Sequence, residues 1–497
     1  MIMPIPGPGA GPPFKTMIAS LVRRTLGARW LAGSNPLRQA HAPGRSPAGG
    51  HDTGIEFAAG RGVPHLTASA INDGPGADVC LKSRRPNHSG EINVTLVADT
   101  LSTGGAETFI LRLARALQGR VRSVQLFVLR RDRIEPGLAK RVSSHIPICS
   151  ARIPAIRILM RLDGLLFSIG ASFSLLRWLQ VRALQKHIIA TNTHVLHSHL
   201  LTADLVASRA AASVGRIWLT TMHGDYLLFS QQGQSRAGRI IDAQKAFEEI
   251  ARTTRHVVCI TDQQVAHMST LFPNLLSEGR LSKIYNGYSV EGDDAGRVIP
   301  PVLRGIPKQD FVIGMVSRGI REKGWDVLIR AFVELDLPRS RLVLVGNGSY
   351  LEKLRAEVRD KRIVFVGNVD DPLSYIARFD ICCLPTFCQG ESLPTVIIEY
   401  LLLGKPVIAT NIGEIRSMLD LDTDRPAGIL IELDTVDRMV SHMKKSIIDL
   451  RNDPVRRNCL SANATSAAQK FNMETCVKSY FSLYRESLEC CASTLAI

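Results

Sequence analysis

Short apolar runs that end in glycine or polar turns alternate with longer segments of helical period along most of this chain. That alternation confines it to an α/β architecture built on parallel sheets. Glu91 to Ala98 reads as a strand. Leu101-Ser-Thr-Gly-Gly-Ala-Glu107 follows as a glycine turn, then a helix from Thr108 to Leu117. Further strands are expected at Val124–Leu129, Val195–His199, from Ile217, at Val257–Ile260 and at Ile284–Tyr288. After a polar, then Pro/Gly-rich stretch the pattern restarts at Phe311–Arg318, Arg341–Gly348, Ile363–Gly367, Ile381–Leu384, Pro406–Ala409 and Ile429–Ile431. Two doubly wound, Rossmann-like domains facing a cleft account for this, with ligands at the carboxyl ends of the strands. The boundaries expected are residues 91–291, a linker over 292–308, residues 309–470, and a final helix within 471–497 that packs back on the first domain.

Within the second half, residues 386–414 carry the densest chemistry. Pro394 suits the first helical position, Thr395 to Leu403 reads as helix, and Gly404 ends it. Glu391 then sits in the loop at the helix start, and Glu399 lies about a turn inside. A helix N-terminus offers free N–H groups and partial positive charge to a phosphate or diphosphate. Two carboxylates flanking that point can each accept hydrogen bonds from hydroxyl groups, one set belonging to a sugar and one to a ribose. A nucleotide-diphosphate sugar has both. Read alone, the pair is equally compatible with a surface glutamate in a loop and a half-exposed glutamate on an ordinary βα unit.

Glu391-Ser-Leu-Pro-Thr-Val-Ile-Ile-Glu399 resembles the E-x7-E motif of retaining glycosyltransferases of the GT-B fold, most closely glycosyltransferase family 4. The resemblance covers roughly residues 91–485. It implies donor contacts from Glu391, Ser392, Leu393, Thr395 and Glu399. It also implies that the Gly104-Gly105 loop faces the donor phosphates and the acceptor, and that His223 stands beside the donor sugar. Arg318 and Lys323, in Ser-Arg-Gly-Ile-Arg-Glu-Lys-Gly, match the family's paired cations. Two cations at a helix start are electrostatically awkward unless an anion such as a diphosphate sits there. The glycine turn at Gly346 can approach a phosphate or base, and Val366-Gly-Asn-Val369 resembles the loop beside the nucleoside base. The catalytic set implied is His223, Glu391, Arg318 and Lys323. One departure is the loop before Glu391, which reads Cys388-Gln-Gly and could alter the choice of donor sugar.

Composition narrows the remaining classes. The formal net charge is +16, yet only 6% of residues are aromatic and no Lys/Arg run is interleaved with them, so a nucleic-acid binder is not expected. Anionic substrates or an anionic membrane surface remain. Residues 153–186 are apolar and basic. They read either as helices with a core-facing side and a solvated basic side, or as a surface for anionic head groups. The ten cysteines show no metal or disulfide spacing, and reduced thiols are the simplest reading. No run of 18 apolar residues exists. Residues 1–90 are rich in Pro, Gly, Ala and Arg, and no acidic residue occurs before Asp52. They read as a disordered leader, with a transit peptide or a start assigned too early as alternatives.

No metal is expected. Of His194, His197 and His199, only the last two share a strand face, and Asp420-Leu-Asp422-Thr-Asp424 reads as a solvated loop. The resulting expectation is a metal-independent enzyme, cytoplasmic or peripheral on the inner face of a membrane. It would move a sugar from a nucleotide-diphosphate sugar to a glycan or lipid-linked acceptor. A nucleotide-sugar epimerase or hydrolase, and a non-catalytic glycan- or membrane-binding scaffold, are the alternatives. On this reading Lys323→Ala and Glu399→Ala abolish turnover and leave the fold intact.

Overall fold

The computed structural model describes residues 92–494 apart from 103, 144, 169–172, 225–242, 290–297, 389 and 422–424. The leader, residues 292–297 of the expected linker and the Asp422–Asp424 part of the acidic loop lie outside the described residues.

The first sheet contains β1 (Asn93–Ala98), β2 (Ser123–Val128), β3 (Ile148–Ser150), β4 (Val195–His199), β5 (Ile217–Met222), β6 (His256–Cys259) and β7 (Leu281–Lys283). Its spatial order is β3-β2-β1-β4-β5-β6-β7, and every pairing is parallel. The second sheet contains β8 (Phe311–Val316), β9 (Ser340–Val345), β10 (Ile363–Gly367), β11 (Ile381–Leu384), β12 (Val407–Thr410) and β13 (Gly428–Ile431). Its order is β10-β9-β8-β11-β12-β13, again all parallel. Each sheet therefore reverses its winding once, between β1 and β4 and between β8 and β11. A doubly wound sheet opens a crevice for ligand at that point. The central strands are covered on both faces, so every residue of β1 and β11 is buried rather than every second one.

Five helices shape the crevice and the surface beside it: α1 (Gly105–Leu117), α2 (Ile156–Ser168), α3 (Trp325–Leu335), α4 (Thr395–Leu402) and α5 (Met473–Thr494). In α1, Phe109, Ile110, Leu113, Ala114 and Leu117 are buried at helical spacing, so one stripe of the helix seals a face of the first sheet. The basic stretch after residue 153 resolves into α2 and a second helix, Leu175–Ala190. Asp163 joins them, with Oδ1 accepting the Leu175 N–H at 2.9 Å and Oδ2 accepting the Ser174 hydroxyl at 2.5 Å.

Several boundaries differ from the sequence reading: the strand expected at Ile284–Tyr288 lies at Leu281–Lys283, and the first helix opens at Gly105 rather than Thr108. Pro394 is the N-cap of α4, with ψ 110°, and the helix starts at Thr395. The strand after it begins at Val407, one residue later than read, because the ring nitrogen of Pro406 has no N–H to give the ladder.

Hydrophobic clusters show where the chain changes sheets. Leu303, Ile306 and Phe471 belong to the core around the second sheet. Met473, Val477, Tyr480 and Tyr484 belong to a core of the first. So α5 packs with the core of the first sheet, and hydrogen bonds fix it there. The Tyr484 hydroxyl lies 2.7 Å from His197 Nδ1, and the Tyr480 hydroxyl 2.9 Å from Thr221 Oγ1.

Candidate active site

The carboxyl ends of β8 and β11 bring the expected donor-side residues together. After β8 the chain runs through Arg318 into a 3-10 turn, Arg321–Lys323, which leads into α3. Arg318 is exposed, and its carbonyl accepts the Trp325 indole N–H at 2.9 Å. Lys323 is buried, with its Nζ hydrogen-bonded to Glu391 Oε2. The Thr386 hydroxyl lies 3.0 Å from the same oxygen. Two groups read as separate ligand contacts thus form a pair with each other, and Arg318 is the cation of the two that faces solvent. Lys323 and Glu391 are each 9% exposed at the side chain, so this is a desolvated ion pair and not a surface one.

Gly346 has φ +152°, and a Cβ there would fall 1.9 Å from the Ser317 carbonyl oxygen. The loops after β8 and β9 therefore pack backbone to backbone, with Gly319 N–H bonded to the Asn347 carbonyl at 2.8 Å. The glycine is required by that packing alone. Val369 is half-buried against the core of the second sheet.

Across the crevice, Gly105 opens α1 directly opposite the start of α4: a Cβ on it would lie 3.2 Å from Thr395 Oγ1. Ser392 and Leu393 are drawn inward by the backbone, the Ser392 carbonyl accepting the Glu414 N–H at 3.0 Å and Leu393 joining the core. On α1, Gly104 is the N-cap and its carbonyl accepts the Thr108 hydroxyl at 2.7 Å. Glu107, at the end of the glycine motif, is buried and accepts the Thr100 hydroxyl at 3.1 Å.

His223 stands after β5 with its Nε2 3.0 Å from His199 Nδ1, and both rings pack on Phe109 of α1. The remaining ring nitrogens, His199 Nε2 and His223 Nδ1, are buried with no protein partner. Burial pushes His223 down to about 3 and holds His199 well below the ordinary value, so both rings are neutral at physiological pH. Neutral imidazoles offer one donor and one acceptor each, which suits hydroxyl groups. His197 is structural: its ring bridges Tyr484 and Thr221. His194 accepts the Asn93 N–H at 3.1 Å.

Sequence reasoning named Glu399 but missed the partners through which it and Glu414 join the two halves. Glu399, on α4, accepts the Tyr288 hydroxyl at 2.9 Å, and the Arg112 guanidinium from α1 stacks 3.6 Å above that tyrosine ring. Burial raises the Glu399 carboxyl above its usual range, and the Tyr288 hydrogen bond and the Arg112 charge oppose the rise. Glu414 is 2% exposed and collects the Asp262 N–H at 3.0 Å, the Tyr285 hydroxyl at 2.6 Å and Lys283 Nζ at 3.2 Å. It sits one residue past Gly413, at the end of the stretch that carries both other glutamates. The signal was present, but nothing in the sequence says which distant tyrosine or lysine it meets. Among the described residues, no group of three His, Cys, Asp or Glu could hold a metal ion.

Comparison with known proteins gives this geometry a family. A "Glycosyltransferase Family 4" model matches residues 103–291, and a "Glycosyl transferases group 1" model matches residues 310–449. An uncharacterized 41.2 kDa protein in the cps region of Klebsiella pneumoniae is 24% identical over 215 residues, 42% of this chain and 56% of that one. A phosphatidyl-myo-inositol mannosyltransferase of Mycolicibacterium smegmatis is 27% identical over 179 residues, 35% of this chain and 44% of that one. The chain thus spans about half the length of the curated relatives it matches. Among solved structures, Anabaena HepE in complex with UDP and glucose superposes with a TM-score of 0.60 at 18% identity, covering 80% of this chain and all of that one, which shows the shared GT-B fold. With one family model on each sheet and the two doubly wound halves meeting at the Gly105–Thr395 crevice, the chain belongs to the group 1/family 4 glycosyltransferases.

Proposed function

We propose that this chain transfers a sugar from a nucleotide-diphosphate sugar to a hydroxyl of a glycan or lipid-linked acceptor, with retention of the anomeric configuration. The observation that carries the reading is the placement of Gly105, with no side chain, against Thr395 at the N-terminus of α4. A diphosphate can approach there between two backbones, at the positive end of a helix. Arg318 and Lys323 lie on the β8 side of the same helix start and would carry the charge of the leaving nucleoside diphosphate. Lys323 would exchange part of its contact with Glu391 for the phosphate, freeing that carboxylate for the sugar hydroxyls. Glu399 would take the ribose hydroxyls, and Val369 would flank the base. In the reaction the bond from the anomeric carbon to the phosphate oxygen breaks, its electron pair leaves on the diphosphate, and the acceptor oxygen bonds the same carbon as its proton passes to the departing diphosphate oxygen. His223 and His199, through ring nitrogens with no protein partner, would hydrogen-bond hydroxyls at that centre.

No step in this scheme requires a metal, since the two cations and the helix terminus occupy the place where a metal would act. The phosphatidyl-myo-inositol mannosyltransferase relative favours a lipid-linked acceptor, and the relative in a cps region favours polysaccharide assembly. Work at the cytoplasmic face of a membrane fits both. No helix among the described residues is long and apolar enough to cross one.

A thermal-shift screen of the full chain against UDP-, GDP-, ADP- and dTDP-sugars, with EDTA present, tests the reading. UDP-sugars come first because HepE was solved with UDP. One nucleotide should raise the melting temperature and lose its effect in Arg318→Ala. Stabilisation by none, together with no acceptor-dependent nucleotide release, would overturn the proposal in favour of a non-catalytic binder. Release without acceptor would favour a hydrolase.

A further inference from the structure

A cavity of about 760 Å³ on the first half is lined by Arg130, Asp132, Arg133, Arg157, Met160 and Arg161. Among the described residues, Asp132 is the only acidic one on that lining, and it is held by Arg130 in a two-pronged pair at 2.9 and 2.8 Å. Arg133, Arg157 and Arg161 are exposed. Like charges gathered around one hollow repel each other unless an anion joins them. Guanidinium forks match phosphate oxygens in geometry as well as charge.

A second observation on the same helix says what carries that phosphate. On α2, Ile158, Leu162 and Leu165 are 59%, 45% and 62% exposed. Their spacing of four and three residues aligns them in one stripe, and Arg157 and Arg161 form the stripe beside it. Large apolar side chains exposed next to arginines are suited to an interface with hydrocarbon on one side and anionic head groups on the other. Backbone hydrogen bonds tie the cavity's Arg133 to the segment that precedes α1. Leu101 N–H bonds the Arg133 carbonyl at 3.1 Å and Glu135 N–H bonds the Leu101 carbonyl at 2.8 Å. Four residues beyond Leu101 is Gly105.

We propose that the arginine-lined cavity seats the phosphate or diphosphate of a membrane-anchored acceptor lipid, with the apolar stripe of α2 entering the bilayer beside it. The proposal rests on the proposed transfer, in which an acceptor hydroxyl meets the donor at Gly105, and it names the chemical class of that acceptor: a lipid whose phosphate or diphosphate carries more charge than the phosphodiester of an ordinary phospholipid, to match several arginines, and whose head group reaches the crevice from the bilayer.

Co-sedimentation of the full chain with vesicles tests it without any donor. Three vesicle types are compared: phosphatidylcholine alone, phosphatidylcholine with a polyprenyl phosphate, and phosphatidylcholine with phosphatidylglycerol at equal surface charge. Binding should be strongest to the polyprenyl phosphate vesicles, and Arg157→Gln/Arg161→Gln should lower that partition coefficient roughly 30-fold. Leu162→Ser/Leu165→Ser should weaken binding to all three vesicle types. Both variants should keep the wild-type thermal shift with nucleotide sugar, which separates this site from the donor site. Equal binding to the two anionic vesicle types would overturn the proposal, since only bulk charge would then be read. So would an arginine variant that binds as wild type. Vesicle binding as expected with no response to any nucleotide sugar would leave this site standing and sink the transferase reading instead.

Discussion

The Lys323–Glu391 pair allows a test that separates chemistry from folding. Sequence alone suggests that Lys323→Ala would silence the protein and leave its fold untouched. The structure changes that expectation, because the two side chains are each only 9% exposed. Lys323→Met keeps the aliphatic volume but leaves the Glu391 carboxylate buried with the Thr386 hydroxyl, 3.0 Å away, as its remaining side-chain partner. Breaking a buried pair from one side costs about 3 kcal/mol, since the surviving charge stays desolvated. For a domain of this size that is a fall in Tm of roughly 6–12 °C. Removing both charges in Lys323→Met/Glu391→Gln should restore stability to within about 1 kcal/mol of wild type, far less than the losses of the two singles added together. Urea unfolding followed by circular dichroism gives the stabilities, and nucleotide release gives the turnover. All three variants (each single and the double) should be inactive, with only the singles destabilised. A single variant as stable as wild type, or a double variant that loses the sum of the two, would refute the claim that the pair is a desolvated unit.

The same geometry carries four more predictions. Gly105→Val places a branched side chain where a Cβ already lies 3.2 Å from Thr395 Oγ1, so the KM for donor should rise at least tenfold while far-UV circular dichroism stays unchanged. Tyr288→Phe strips Glu399 of its hydroxyl donor. Loss of that bond to a buried carboxylate should cost about 1–3 kcal/mol of stability, and titration of the donor site should move to higher pH. His197 is fully buried and depressed to about 3 by burial, below its unfolded value near 6.5. The neutral ring therefore contributes stability that is present above pH about 6.5 and is lost as pH falls from there toward about 3. Between pH 6.5 and 5, wild type should lose about 2 kcal/mol more than His197→Gln, measured by urea unfolding at each pH. Activity should survive EDTA; loss of activity restored by Mg²⁺ or Mn²⁺ would count against the proposed metal-free mechanism.

The sequence by itself determined the α/β class, the two doubly wound sheets and the place of Glu391 and Glu399 on either side of a helix start. These depend on short-range physics: strand runs, glycine turns and helix starts within about ten residues of each other. The motif also brought Gly104, Gly105, Arg318, Lys323, Thr395 and His223 into view, because each closes a strand or opens a helix at a predictable end of a sheet. What those groups touch was decided only by the tertiary structure. Lys323 meets Glu391 across 68 residues, Tyr288 meets Glu399 across 111, and Asp262 meets Glu414 across 152. Gly346, read as a turn that can approach a phosphate, also meets the Ser317 carbonyl in a loop contact that the sequence does not announce. The basic stretch after residue 153 allowed a core helix or a surface one. Its second helix buries Leu184 and Ile188, while α2 leaves Ile158 and Leu165 exposed beside Arg157 and Arg161, and only packing reveals which stripe of an amphipathic helix is left uncovered.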